Sequence, residues 1–177
     1  MGQPFKTDLE AIRKRAREHM TEGAVTGAYR ADREQVLKVL NEVLATETVC
    51  VLRYKNHYFM AEGIHASPVA AEFLAHANEE QGHADEVARR IVQLGGRPNL
   101  NPEGLQTRAH AQYSEGETLE EMIREDLVAE RIAIETYNEI IRWLGQDDPT
   151  TRRMIEGILA VEEEHADDMA SLLKRFH

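Results

Sequence analysis

Residues 40–54 read LNEVLATETVCVLRY and residues 79–86 read EEQGHADE. In the first stretch Leu40, Leu44, Glu47, Val51 and Tyr54 follow at alternating steps of four and three, the spacing of a core-facing helix seam. Glu47 therefore stands where a leucine would otherwise sit. In the second stretch Glu80 and His83 lie three apart and share one helix face. The whole pattern recurs. Residues 124–130, REDLVAE, end at Glu130, and Tyr137 follows it as Tyr54 follows Glu47. VEEEHADD at 161–168 then supplies Glu162 and His165. Four carboxylates and two imidazoles over four segments make a donor set for a pair of divalent cations. Without thiolate it suits iron or manganese, with zinc a redox-inert competitor.

Helix signals on either side of these motifs are strong. Asp32 with Gln35 predicts a capping box, and the apolar pattern then runs without Gly or Pro to about Ala61. Ser67-Pro68 predicts a cap and an N1 proline for a second helix, which Gly95-Gly96 ends. Thr118 and Glu121 box a third helix ending near Gly145, and Asp148-Pro149 open a fourth that runs nearly to the C-terminus. Each is about 40 Å long at the α-helical rise, a length suited to bundles. Short joints make two antiparallel hairpins. The Pro-, Asn- and Gly-rich stretch 95–117 is long enough to cross the whole bundle between them. The expected fold is thus all-α: a four-helix bundle over residues 32–177, preceded by an extension, 1–31, with a short extra helix near residues 7–21.

The 177 residues fit one domain with a core of ordinary size, and a net charge of −11 suits a protein that gathers cations rather than nucleic acid. A single cysteine, Cys50, excludes an internal disulfide or a thiolate metal cage within one subunit. The N-terminal stretch lacks a secretory apolar run and no segment approaches 18 continuous apolar residues, so a cytoplasmic setting and no membrane association are expected.

A ligand set is credible only if its members face one another. The third helix gives the seam Ile123, Leu127, Glu130, Ile134, Tyr137, Ile141, Leu144; the fourth gives Ile155, Ile158, Glu162, His165, Met169, Leu172, Phe176; the second gives Val69, Phe73, His76, Glu80, His83, Val87. Leu37 and Tyr58 extend that of the first helix. All six donors lie on seams. A lone helical Glu is ordinarily solvated, as expected here for Glu121, Glu139 and Glu156. Four buried in apolar seams without a cation would cost several kcal/mol each. Glu47 with His83 and Glu130 with His165 are the expected terminal pairs, and Glu80 and Glu162 the expected bridges. Glu163 and Glu164 fall off the seam. Tyr54 and Tyr137 are expected to bond the carboxylate across the bundle, and Tyr54 could supply an electron; both are also compatible with plain core tyrosines.

With these residues placed, the chain resembles the ferritin superfamily over about residues 35–175, most closely bacterioferritin and the bacterioferritin-like branch of Dps-like proteins; QLGGRPNL at 93–100 adds to the likeness. The resemblance implies a ferritin-like bundle and a ferroxidase. Two irons per subunit would sit on Glu47, Glu80, His83, Glu130, Glu162 and His165. Fe(II) would be oxidised by O2 or H2O2 and stored as ferric mineral in a hollow homo-oligomer. Bacterioferritin places a haem-ligating methionine where this chain has Gln81, so haem is not expected. It also continues into a fifth helix, whereas here twelve residues follow His165. That departure and the N-terminal extension point to a twelve-subunit, Dps-like cage. Ordinary Dps proteins build their iron site between subunits, however, and Dps-like proteins with a site inside one subunit often carry a cysteine pair that Cys50 cannot make.

The extension carries Lys6, Arg13, Lys14, Arg15 and Arg17, which could contact DNA phosphates. It also carries Asp8, Glu10 and Glu18, so a helix on the cage exterior is the preferred reading. His76 breaks the duplication, Ile158 holding the matching place before Glu162. It reads as a hydrogen-bonded core histidine ahead of a third-metal position. Three functional classes stand: an iron-storing ferroxidase protective against oxidative stress, a di-iron or di-manganese oxidase or peroxidase without mineral, and a DNA-protecting structural assembly.

Overall fold

The computed structural model describes residues 5–174, and all its regular structure is helical. A short α1 (Leu9–Glu18) precedes four long helices, α2 (Arg33–Met60), α3 (Ala66–Gln93), α5 (Leu119–Leu144) and α6 (Pro149–Leu173); a single turn, α4 (Leu105–Arg108), interrupts the crossover. α2 packs along α3 and α5 along α6, as two hairpins. Across the bundle α2 meets α5 and α3 meets α6.

Local chemistry accounts for most boundaries. The Asp32 carboxylate accepts from the backbone N–H of Glu34 and Gln35 to start α2, and Thr118 with Glu121 forms the full capping box of α5. Asp148 caps α6 with Pro149 in its first turn. α3 ends in a Schellman motif: Gly96 N–H bonds Ile91 C=O and Gly95 N–H bonds Val92 C=O, both at 2.9 Å. Gly95 takes φ +80°, which suits glycine, and a side chain at Gly96 would run into Leu37. The start of α3 differs from expectation. The helix opens at Ala66 with His65 at the cap position and no side-chain cap, so Ser67 and Pro68 fall inside the first turn. The turn closed by Ala66 N–H on Gly63 C=O begins the helix early, and proline is tolerated there because first-turn N–H groups have no helical partner.

Two apolar clusters fill the bundle. Leu40, Leu44, Val87, Ile91, Ile140 and Ile155 belong to one, and Val69, Phe73, Ile123, Met169 and Leu172 to the other. Leu37, Tyr58, Leu127, Ile134 and Ile141 are only half-buried and flank the seams. Phe176 lies outside the described residues.

The crossover lies along α2. Asn99 N–H bonds the Asn41 side chain, His110 N–H bonds Thr46 Oγ1, Arg53 Nη1 donates to Gln112 C=O at 3.1 Å, and the His57 ring meets Ser114 C=O. Beneath it Asp126 of α5 accepts from Arg53 Nε and faces His57 Nδ1, both at 2.8 Å, with all three side chains buried. Sequence reasoning missed this network. At the far end Val25, Tyr29 and Ala31 pack on the core, and Tyr29 donates to Asp148 at 3.0 Å. α1 itself has no buried residue.

Asp148 also binds Arg90 and Thr151. Burial opposes its charge, but hydrogen bonds from Thr151 and Tyr29 and the Arg90 charge prevail and hold its pKa below the ordinary carboxylate value. Asp148→Ala removes a cap and strands Arg90, so it should cost about 3 kcal/mol, read as a lower denaturation midpoint. A depressed carboxylate stabilises fully above the unfolded pKa of about 4 and loses that contribution as pH falls through the folded value. The stability gap between wild type and Asp148→Asn should therefore narrow below about pH 4.

Candidate metal centre

The six donors fall between the two apolar clusters and on all four long helices. Glu47, Glu80, Glu130, Glu162 and His165 are at most 2 % exposed, and His83 is 9 % exposed. Two overlapping groups have donor atoms within 4.8 Å of one another: Glu47, Glu80, His83 and Glu162, and Glu80, Glu130, Glu162 and His165. Glu80 and Glu162 belong to both, the arrangement expected of bridging carboxylates. His83 Nδ1 lies 3.2 Å from Glu47 Oε2, 3.1 Å from Glu162 Oε1 and 3.5 Å from Glu80 Oε2. His165 Nδ1 lies 3.4 Å from Glu80 Oε1, 3.5 Å from Glu162 Oε2 and 3.9 Å from Glu130 Oε1. Glu163 and Glu164 are exposed, as the seam predicts.

Donor chemistry tests whether cations fit. Glu80 Oε1, Glu130 Oε2, both Glu162 oxygens and His165 Nδ1 are buried without a hydrogen-bond partner. Orphaned polar atoms are costly, and here five converge on one place from different helices. Two divalent cations would satisfy them all.

The tyrosines meet the duplication's expectation. Tyr54 of α2 donates to Glu130 of α5 in a short hydrogen bond, and Tyr137 of α5 donates to Glu47 of α2 in another. Burial, and then the facing carboxylate, push both phenols well above their ordinary pKa, so each remains a donor. Each phenol fixes one oxygen of its partner Glu.

The two halves differ around the imidazoles. His165 Nε2 meets Glu79 Oε2 at 2.7 Å, which orients the ring and leaves Nδ1 facing the carboxylates. His76 stacks on His165 with centroids 3.9 Å apart, and its Nδ1 lies 3.2 Å from the Tyr54 hydroxyl. It is buried and hydrogen-bonded, matching the preferred reading. The role of Glu79 was not anticipated; its signal is the acidic doublet Glu79-Glu80, whose first member is one step off the seam.

Burial raises Glu47, and the Glu80 charge adds to it, to a pKa of about 8. Burial and then Glu80 raise Glu130 well above the carboxylate range. For His83 burial opposes the imidazolium, but hydrogen bonds to Glu162, Glu47 and Glu80 prevail and carry it to about 12; His165 likewise reaches about 10. Burial and Glu47 push Glu162 up, yet the neighbouring His165 and His83 imidazoles and Glu130 leave it below its ordinary value.

Residues 37–177 match the model of the ferritin-like domain, and the chain belongs to that family. Among its relatives is the bacterioferritin of Mycobacterium tuberculosis, 31 % identical over 140 residues, spanning 78 % of this chain and 84 % of the relative. A solved structure described as a dodecameric thioferritin, the bacterioferritin-related protein of Bacteroides fragilis, superposes with a TM-score of 0.79 at 31 % identity, covering 83 % of this chain and 89 % of that one. Dps from Thermosynechococcus elongatus has a TM-score of 0.76 at 23 % identity, covering 79 % and 90 %, a likeness of fold alone. Among the described residues no helix is long and apolar enough to cross a membrane.

Glu47, His83 and His165 are all raised above their ordinary values, so a cation bound by them would displace protons. Calorimetric titration of the metal-free protein with Zn(II), in buffers of different ionisation enthalpy, should show proton release and affinity rising between pH 6 and 8. Affinity independent of pH would contradict this electrostatic account.

Proposed function

We propose that this chain is an iron-storing ferroxidase with two iron positions per subunit. The observation that carries the reading is the pair of overlapping donor groups sharing Glu80 and Glu162. Fe(II) is the substrate, and two ions give one electron each to O2 or H2O2. Glu47 with His83 holds one position, Glu130 with His165 the other, and Glu80 and Glu162 bridge. A bridging carboxylate can shift between bridging and chelating modes, which lets the site follow a valence change. Tyr54 and Tyr137 hold Glu130 and Glu47 in place. Tyr54 also lies between Glu130 and His76, a position compatible with an auxiliary electron donor. The apolar clusters on either side keep bulk water from the donors.

The product would be stored as Fe(III) mineral in a hollow homo-oligomer. A dodecamer is the assembly of choice, supported by the likeness to a thioferritin described as dodecameric. Residues 1–31 form an extension on that cage and residues 32–177 the bundle domain. Gln81, bonded to Asp85 at 3.0 Å, offers no sulfur to a haem iron. The basic side chains of α1 remain a separate route to DNA, which a low-salt gel shift with and without residues 1–22 would expose.

Glu47→Ala and His83→Ala should each slow rapid Fe(II) oxidation by about 100-fold or more with the assembly intact, since even outer-shell changes cost about 10–100-fold. Stopped-flow absorbance measures the rate and size exclusion the assembly; unchanged kinetics would refute the site. Anaerobic Fe(II) loading followed by oxidant should leave many irons per subunit in the assembly. Retention of only two would sink storage in favour of a mineral-free oxidase.

A further inference from the structure

Toward the end of α3 and the start of α6, beyond the donor cluster, a cavity of about 410 Å³ opens between these two helices. Three arginines line it, Arg89 and Arg90 from α3 and Arg153 from α6, against one carboxylate, Glu86. That is a local excess of positive charge on a chain of net charge −11. Arg90 is 9 % exposed and anchored, its guanidinium donating to Asp148, Thr151 Oγ1 and Gln93 Oε1. Those four bonds leave at least one of its five N–H donors over. A guanidinium only donates, so the Gln93 atom it meets is the oxygen, and the amide NH2 of Gln93 is turned away from it. Arg89 has a 3.7 Å contact with Asp85 on its own helix, and Arg153 makes no hydrogen bond or ion pair among the described residues. Gly157 lines the same cavity from inside α6, where glycine is less stable than alanine. A Cβ there would meet nothing within 4 Å. Packing within the subunit does not require that glycine; a group seated against the α6 backbone would.

We propose that this cavity binds a phosphate group. Phosphate carries negative charge and acceptor oxygens, and the cavity wall supplies mostly donors: the Arg89 and Arg153 guanidinium forks from opposite helices, the Gln93 amide and the Thr150 hydroxyl. Planar guanidinium groups match phosphate oxygens two bonds at a time. Glu86 precedes Arg89 by one turn on α3, so it repels an anion away from the donor cluster and toward the arginines. The volume exceeds that of inorganic phosphate, so a free phosphate and a phosphate carried on a small molecule meet the same recognition chemistry. Binding here does not require that the buried carboxylates hold a metal or oxidise iron.

Metal-free assembly is titrated calorimetrically with inorganic phosphate, and separately with adenosine monophosphate, in about 0.15 M chloride to screen diffuse charge. The expected result is saturable binding at one site per subunit, weakened about 10-fold or more in Arg89→Gln and in Arg153→Gln. Gly157→Leu, which fills the cavity without changing charge, should abolish it. Arg152→Gln removes the same charge one residue away from Arg153, outside the cavity, and should change affinity by less than about twofold. Arg89 and Arg153 are exposed, so both variants keep the core, which circular dichroism and size exclusion check. Tighter binding of the nucleotide assigns a phosphate on a larger ligand, and equal binding assigns phosphate alone; either supports the site. No saturable binding of either probe, unchanged affinity in Gly157→Leu, or equal weakening by Arg152→Gln overturns it. Loss of assembly in the arginine variants, with no phosphate bound by wild type, overturns it too and gives these side chains to contacts between subunits.

Discussion

Four carboxylates at the waist of an apolar bundle impose the constraint on which the rest of this structure depends. Glu47, Glu80, Glu130 and Glu162 are almost wholly buried, and each ionised carboxylate in such a place costs several kcal/mol unless paired. The protein answers in layers. His83 and His165 bring imidazoles inside the cluster, and Tyr54 and Tyr137 donate one hydrogen bond each to Glu130 and Glu47. Buried donor atoms still remain without partners, and those converge on one place. Two divalent cations would complete the arrangement.

The scaffold serves this requirement. Each of the four long helices contributes to the donor cluster, so a shift of any one would misplace a donor. Apolar clusters above and below clamp the helices, while the crossover is tied to α2 through Asn41, Thr46, Arg53 and His57. The Arg53–Asp126–His57 network links α2, α5 and the crossover in one buried set of bonds. Asp126 lies one helical turn before Glu130, so the network also steadies the segment that carries that donor.

The long helices, their hairpin pairing and the six donors were legible because two periodicities coincide: the seam of each helix and the repeat of the motif along the chain. The first turn of α3 was less legible because a backbone turn at Gly63 starts the helix without a side-chain cap. Arg53, His57 and Asp126 were missed because charged residues beside a seam ordinarily face solvent, and the crossover that covers them has no periodic signature. A signal was nevertheless present. The duplication pairs Asp126 with Val43 and His57 with Ile140, and all four are buried. Polar residues opposite apolar ones at equivalent positions mark a buried network in one half, just as His76 against Ile158 marks a point where the two halves differ.

Membership of the ferritin-like family and the geometry of the donors converge on cation chemistry at the bundle's waist. The most direct test of that claim is the melting temperature of the metal-free assembly with and without a divalent cation, in wild type and in Glu80→Gln/Glu162→Gln. Cations that bind only the folded state raise its stability by mass action. The account predicts a clear rise for wild type that grows with cation concentration and a small fraction of that rise in the double variant. Equal rises in both proteins, or none in wild type, would contradict it.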